Sequence, residues 1–282
     1  MSRSTGSLCL GLMALVLFVA GCSGGGAATA DSGVDAYARG RAAYDDGKYA
    51  RAIEYLRTAL DFGRTSEVAA DAQLYLARAY RADRQYLLAG NEYTRFIEFY
   101  RNDERLEEAA YERIQAYASL SPRYELDQTP TYEAIRYIQQ YARQYPASPN
   151  VTEAEALLGS LREKLARKQY EAGHLYERRE MYEAAVLSFG RVLTEYPSSA
   201  YADDALLGQI QAQISYAEGS VPARQAERFQ EALRLYDQFL ALFPASPLVR
   251  DAEALYDRAY RGLQAAQAAT ADATASTPPT GE

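Results

Sequence analysis

REMYEAAVLSFGRVLTEYP, residues 179–197, carries the pattern that decides the fold. An aromatic residue, Tyr182, is followed by a small one, Ala185, and then by a large apolar one, Phe189. This spacing places the apolar residues on one face of an α-helix. Pro197 ends the helix because proline has no backbone N–H to donate. The stretch therefore predicts an amphipathic helix whose alanine allows close approach of a neighbouring helix.

Four other segments repeat this pattern, so the chain is built from a recurring unit. Their alanines recur at intervals of 37, 45, 51 and 47 residues, at Ala52, Ala89, Ala134, Ala185 and Ala232. The helices before them carry matching small residues at Gly40, Ala77 and Gly173. The pattern resembles the tetratricopeptide repeat, a helix-turn-helix unit of about 34 residues. It predicts an all-α helical solenoid of about five such repeats.

The intervals exceed 34 residues, and the extra residues predict longer loops at 121–128 and 218–223. Between residues 151 and 179 the helical pattern continues past two glycines, which predicts one long helix. We expect two lobes that share this helix, repeats 1–3 at residues 34–150 and repeats 4–5 at residues 151–266. Residues 267–282 are mostly alanine, threonine and proline, which predicts a disordered tail.

The first residues resemble the export signal of a bacterial lipoprotein. Arg3 precedes an apolar run, Leu8 to Ala20, that is shorter than the roughly 20 residues of a membrane span. The sequence VAGC at 19–22 resembles a lipobox, which implies that residues 1–21 are a removed signal peptide and that Cys22 is acylated. An ordinary signal peptide with an incidental cysteine is the alternative. Residues 22–33 are rich in glycine and predict a flexible tether.

Composition limits the possible partners and the source of stability. Of the two cysteines, Cys9 lies in the predicted signal peptide and Cys22 is the predicted lipid site, so no internal disulfide is expected. The fold must rest on its apolar core. The formal net charge is −8 and becomes one unit more negative when Arg3 is removed. An acidic body of this kind argues against nucleic acid as a partner.

The sequence offers no set of residues that would form a catalytic, metal or cofactor site. His174 is the single histidine, and we interpret it as a packing or surface residue. Adjacent acidic pairs such as Asp203 and Asp204 point in different directions on a helix and cannot flank one substrate atom. The glycines after Cys22 do not follow a strand, so they do not form a phosphate-binding loop. We therefore expect a protein that is not an enzyme and needs no cofactor.

One stripe of aromatic and basic residues predicts a binding groove. Tyr37, Arg41 and Tyr44 share one face of the first helix, and Arg78 and Arg81 share one face of the third. In a tetratricopeptide stack these faces line the inner surface. Tyrosine offers apolar contact and arginine can hold a carboxylate through two hydrogen bonds. We expect these five residues to form a substrate groove, with ordinary surface as the alternative.

The ordered combination of these features resembles the BamD family of outer-membrane lipoproteins. The closest local likeness is residues 134–206, with the loop sequence SLSPRYELDQTPTY at 119–132. The resemblance implies a lipid-anchored scaffold on the periplasmic side of the outer membrane, within the β-barrel assembly machinery. Its implied partners are the periplasmic domains of the barrel-forming subunit and unfolded outer-membrane proteins. Ser23, where aspartate is absent, also favours the outer membrane by resemblance to lipoprotein sorting signals.

Two other classes of protein share some of these features. A pilotin-like lipoprotein, or a repeat lipoprotein that coordinates cell-envelope processes, would have the same anchor and repeats. We would expect its repeats to lie nearer the unexpanded period, or an added coiled coil. A glycan-binding or glycan-cleaving protein would need tryptophan platforms or a carboxylate pair in a cleft, and the sequence contains no tryptophan.

Overall fold

A computed structural model describes residues 30–275, with side chains described as far as residue 271. Within that range the chain is all-helical, which confirms the predicted fold class. Its eleven helices are α1 (Gly33–Asp45), α2 (Tyr49–Asp61), α3 (Ala69–Ala82), α4 (Tyr86–Phe99), α5 (Leu106–Ser119), α6 (Thr129–Gln144), α7 (Val151–Arg178), α8 (Tyr182–Glu195), α9 (Ala202–Glu218), α10 (Pro222–Leu242) and α11 (Val249–Ala275).

The described residues divide into two compact units between Ala72 and Gln73. The first contains α1 and α2, and the second contains most of α3 and the helices that follow. The lobes predicted at 34–150 and 151–266 use a different boundary and stay a prediction. No helix in the described range is both long enough and apolar enough to cross a bilayer.

Three helix pairs are joined by the same tight turn. The middle of its three residues has a positive φ, 73° at Gly47, 61° at Arg84 and 59° at Glu180. The next backbone N–H donates to the carbonyl oxygen of a residue five positions earlier, at 2.8 to 2.9 Å. Positive φ favours glycine, yet only the first of these turns has one. A glycine therefore marks this turn in the sequence in only one of the three cases.

The repeat alanines lie where helices approach most closely. Ala52, Ala89, Ala134, Ala185 and Ala232 are all fully buried. The small residues of the preceding helices are just as constrained. A Cβ placed on Gly40 would lie 2.7 Å from Leu56 Cγ, and one on Gly173 would lie 2.5 Å from Phe189 Cε1. Real Cβ atoms do not approach other atoms so closely, so both positions require glycine unless the facing side chain moves.

Helix α7 connects successive parts of the core in the second unit. Its N-terminal half contributes Ala154 and Leu161 to a cluster with α5 and α6. Its C-terminal half contributes Leu165 and Ala166 to a cluster with α8 and α9. The helix has 28 residues, which confirms the predicted long helix. The predicted loop at 121–128 is also confirmed, because α5 ends at Ser119 and α6 begins at Thr129. The longer loop predicted at 218–223 is wrong: α9 ends at Glu218 and α10 begins at Pro222, because proline is favoured in the first turn of a helix and the extra residues lengthen α10 to 21 residues.

Several details differ from the sequence predictions. Pro146, Pro197 and Pro244 follow helix ends. The sequence pairs Ser148-Pro149 and Ser246-Pro247 predict an N-cap followed by the first helical residue, but neither serine caps the next helix directly. Ser148 Oγ accepts from Asn150 N–H at 3.1 Å and Ser246 Oγ accepts from Leu248 N–H at 3.2 Å. These bonds close a short turn, and α7 and α11 begin at Val151 and Val249. In each case the hydrogen bond accepted by the serine side chain, together with the ring of the following proline, Pro149 or Pro247, favours a turn before the helix begins.

The tail and some tyrosines also depart from expectation. Helix α11 continues to Ala275, so residues 267–275 are helical where the composition predicted disorder. Alanine has the highest helix propensity, and this segment is rich in it. Six tyrosines occupy repeat positions in the sequence that predict core packing, yet only two of them, Tyr93 and Tyr141, are buried. The other four are half-buried: Tyr49, Tyr86, Tyr182 and Tyr236.

Candidate binding surfaces

Three of the five predicted groove residues lie on α1. Tyr37 and Tyr44 are half-buried and Arg41 is exposed. The Tyr44 ring centroid lies 5.6 Å from that of Tyr49 on α2. Arg41 Nε lies 3.9 Å from Asp45 Oδ2, with the two side chains 52% and 62% exposed. A pair this exposed contributes at most about 1 kcal/mol, so a ligand carboxylate could replace Asp45 at small cost.

The other two groove residues, on α3, are held by α5. Arg78 Nε donates to Glu112 Oε2 at 2.9 Å, and Arg78 Nη2 lies 2.6 Å from Glu108 Oε1. Arg81 Nη2 lies 3.4 Å from Glu112 Oε1, and its Nη1 donates to Gln115 Oε1. The Arg78 and Glu112 side chains are only 17% and 13% exposed. A ligand carboxylate must therefore displace Glu112 to reach both arginines.

Burial and the neighbouring carboxylates have opposite effects on the pKa of Arg78. Burial by itself lowers the pKa of Arg78, but the carboxylate of Glu112, and then that of Glu108, raise it overall. Tyr93 is fully buried beside this cluster, where it interacts with Glu112, Arg81 and Arg78. Burial raises the pKa of Tyr93, so it stays neutral. Arg78 therefore remains charged, and the carboxylates of Glu112 and Glu108 balance its charge.

The structure also shows an apolar cleft that the sequence interpretation missed, here called the distal cleft. It has a volume of about 600 Å³ and is lined by the turn between α7 and α8, the start of α8 and the end of α9. Met181 and Leu187, which line it, are 50% and 61% exposed. Leu187 lies two residues after Ala185 on α8, and the sequence pattern does not distinguish it from the buried apolar residues of the repeat. Exposed apolar side chains around a cleft are typical of a protein-binding surface.

A second cleft, here called the loop cleft, lies between the 121–128 loop, α7 and the turn before α9. Its volume is about 590 Å³ and its lining includes Arg123, Tyr124, Lys164, Arg167 and Tyr201. The sequence contained a partial signal for it. Lys164 and Arg167 stand at the helical spacing i, i+3 in an acidic chain, which places two cations on one face of α7.

His174 has the packing role expected of it. Its ring lies between those of Tyr170 and Phe189, at centroid distances of 4.6 and 5.0 Å, and its Nδ1 lies 3.3 Å from Glu177 Oε2. No three histidine, cysteine, aspartate or glutamate side chains in the described part of the chain are arranged to hold a metal ion. Cys22, the predicted lipid site, lies outside the described residues.

Comparison with known proteins gives a family match over most of the chain. The model of the family described as YfiO, outer membrane lipoprotein, matches residues 29–228. A curated relative, outer membrane protein assembly factor BamD from Caulobacter vibrioides, is 23% identical over 179 residues. The aligned part covers 64% of this chain and 59% of that relative, so the chain spans less than two thirds of the relative's length.

Solved structures of tetratricopeptide proteins also match at low similarity. The TPR2AB domain of yeast Sti1 is 16% identical, with a TM-score of 0.37, and the match covers 81% of this chain and 98% of that one. A tetratricopeptide repeat protein from Bacteroides fragilis is 14% identical, with a TM-score of 0.43 and coverages of 82% and 99%. One from Parabacteroides merdae is 17% identical, with a TM-score of 0.34 and coverages of 89% and 82%.

Proposed function

The chain belongs to the YfiO family of outer membrane lipoproteins, and from this we propose that it is a non-enzymatic scaffold of the machinery that assembles β-barrel proteins in the outer membrane. The family match over residues 29–228 is the observation that carries the proposal. The stacked helix pairs support it, because repeat proteins present long surfaces to which other proteins bind.

The partners and location follow from the same proposal. The distal lobe, residues 151–266, binds the periplasmic domains of the barrel-forming subunit, and the earlier repeats receive unfolded barrel proteins. An acylated Cys22 anchors the chain to the outer membrane, facing the periplasm. Helix α7 supports a shared role for the two regions, because its Leu161 packs into the cluster with α5 and α6 and its Leu165 packs into the cluster with α8 and α9.

The distal cleft is the surface that we assign to docking of the barrel-forming subunit. Leu187 is 61% exposed, and in water this apolar surface is unfavourable. Burying it against a partner removes that cost, and residues of this kind often dominate binding. Met181 and Tyr216 line the same cleft, together with the acidic residues Glu180 and Glu183.

Replacing Leu187 with glutamate tests this assignment. A charge at the centre of an apolar interface must be desolvated, so we expect binding of the barrel-forming subunit to weaken at least about tenfold. The measurement is co-purification from detergent-solubilised outer membranes, with the bound subunit quantified against the chain. Leu87→Glu is the matched control, because Leu87 is 54% exposed and lies on α4, outside the distal lobe.

The outcomes separate the assignment from the function. Equal recovery with both variants means that the subunit does not dock at the distal cleft. If the unaltered chain recovers no barrel-forming subunit at all, the proposed function itself is wrong.

Substrate binding remains part of the proposal for each compact unit by itself, through Tyr37, Arg41 and Tyr44 in the first and through Arg78 and Arg81 in the second. One change is necessary for the second unit. Glu112 already occupies the two arginines of α3, so it competes with any substrate carboxylate. Glu112 then limits affinity, and substrates would bind weakly and exchange readily.

Replacing Glu112 with glutamine should strengthen binding of a peptide from the C-terminal end of a barrel protein by about tenfold, because the competing carboxylate is gone. Arg78 keeps an acidic partner in Glu108, at 2.6 Å, so the fold should survive. Fluorescence anisotropy with a labelled peptide at low salt measures the change. Glu104→Gln removes an equal charge from an exposed position before α5. If both variants bind the peptide equally, α3 does not hold the carboxylate.

A further inference from the structure

The loop cleft has features of a prepared binding site, beginning with a loop that is fixed in place. Lys168 Nζ donates to the carbonyl oxygens of Tyr124 at 3.0 Å and Leu126 at 2.8 Å. The amide of Gln128, which is 3% exposed, donates to the carbonyl oxygens of Arg123 and Leu126 at 2.8 and 3.1 Å. A loop held by these four bonds loses little further freedom when a ligand binds.

The central cation of the cleft is Lys164. Its Nζ donates to Ser121 Oγ at 2.7 Å, and Ser121 Oγ is 2.6 Å from Thr131 Oγ1. Within residues 30–271 no carboxylate lies at ion-pairing distance from this ammonium group, although the residue is half-buried. Burial lowers the pKa of Lys164. An ammonium group has three donors, so Lys164 retains donors for a ligand.

Two more cations and two aromatic rings surround Lys164. Arg123 is exposed on the loop, and Arg167 Cζ lies 4.4 Å from the centroid of the Tyr124 ring. Tyr201 also lines the cleft. Arg167 Nε is 3.7 Å from Glu171 Oε1, an exposed pair that contributes little. The cleft therefore combines positive charge with apolar ring surface.

The acidic residues of the cleft do not cancel this charge. The carboxylate of Glu163 accepts from Ala200 N–H at 3.2 and 3.3 Å and so holds the turn before Tyr201. Glu125 is exposed on the loop. Three cations face two carboxylates, one of them bonded to the backbone, in a chain whose net charge is −8. A positive cleft on an acidic protein selects for an anionic group.

We propose that the loop cleft binds a carboxylate of a partner protein, with Lys164 and Arg123 holding the carboxylate and Tyr124 and Tyr201 contacting an adjacent apolar side chain. The carboxylate comes from a chain terminus or from an acidic side chain, since both present the same group. The proposal does not depend on the role in barrel assembly, and it concerns a surface other than the distal cleft.

The test measures binding of three labelled, acetylated tetrapeptides to the full chain in detergent at low salt. The first is Gly-Ser-Gly-Tyr with a free C-terminal carboxylate, the second is its amide, and the third is Gly-Glu-Gly-Tyr amide. We expect a carboxylate to improve binding about tenfold over the plain amide, because a hydrogen bond to a charged group is strong in a partly buried site. The free acid and the glutamate peptide distinguish a chain terminus from a side chain.

Variants locate the effect. Lys164→Gln and Arg123→Gln should each remove most of the preference for the carboxylate, and Lys164→Arg should retain it. Arg162→Gln is the control, because Arg162 is exposed on the same helix and does not line the cleft. Circular dichroism checks folding, and Arg123 stands on an exposed loop position where folding is not at risk.

Two results overturn the proposal. One is equal binding of acid and amide peptides, which includes no binding of either at millimolar concentration. The other is an equal loss in Arg162→Gln and Lys164→Gln, since that would indicate general attraction to positive charge.

Discussion

Replacing Gly173 with alanine should destabilise the protein, whereas the same replacement at Gly159, on the same helix, should stabilise it. A Cβ on Gly173 would lie 2.5 Å from Phe189 Cε1, while one on Gly159 meets nothing within 4 Å. Overpacking of this kind costs about 1 to 3 kcal/mol. Alanine regains up to about 1 kcal/mol of helix propensity at either site. The expected net change is a loss at Gly173 and a gain at Gly159.

Phe189 cannot easily move aside to relieve the contact. Its ring faces Gly208 of α9 on another side, where an added Cβ would lie 2.9 Å from Phe189 Cζ. The rings of Tyr170 and His174 are also close, at centroid distances of 5.9 and 5.0 Å. Close-packed interiors transmit such strain and do not absorb it. Gly173→Val adds two more methyl groups and should cost about 3 kcal/mol or more.

Chemical denaturation followed by circular dichroism measures both changes. Because repeat proteins can unfold in parts, amide hydrogen exchange in α7, α8 and α9 should report the loss locally. If Gly173→Ala is as stable as Gly159→Ala, Phe189 has room to move and the close approach of α7 and α8 is not a constraint.

Replacing Cys22 with serine should abolish acylation of the chain. Each methylene buried in a bilayer contributes about 0.8 kcal/mol, so several acyl chains on one residue form a stable anchor. Acylation begins at the cysteine thiol, so a serine at this position leaves no site for the acyl chains. The expected result is complete loss of incorporation of labelled palmitate. The mature N-terminus should also no longer begin at residue 22, as mass spectrometry would detect.

Cys9→Ser is the matched control, because Cys9 lies inside the predicted signal peptide. It should be labelled as strongly as the unaltered chain. Membrane fractionation alone does not decide the matter, since an uncleaved Leu8 to Ala20 segment can itself hold a precursor at the membrane. Full labelling of Cys22→Ser would show that Cys22 is not the lipid site.

How far the site could be predicted depends on the distance between its partners in the sequence. Tyr37, Arg41 and Tyr44 share a face because helical periodicity places them there, and the structure has them on α1. The ion pairing of Arg78 could not be predicted in this way. Its partner Glu112 lies 34 residues later on another helix, and both are polar residues at ordinary helical positions. Lys164 likewise contacts Ser121, 43 residues earlier.

The sequence by itself determined the helices, their order and most of their ends. These follow from local causes: the 3.6-residue apolar period, the missing donor of Pro146, Pro197 and Pro244, and the small residues that alternate with large ones. Only the tertiary structure decided which charges are neutralised and which remain available. Arg78 is paired with Glu112 and Lys164 is not paired with any described carboxylate, although both are basic residues on helices. Pairing across helices depends on how the helices pack in space, and no local period of the sequence encodes that.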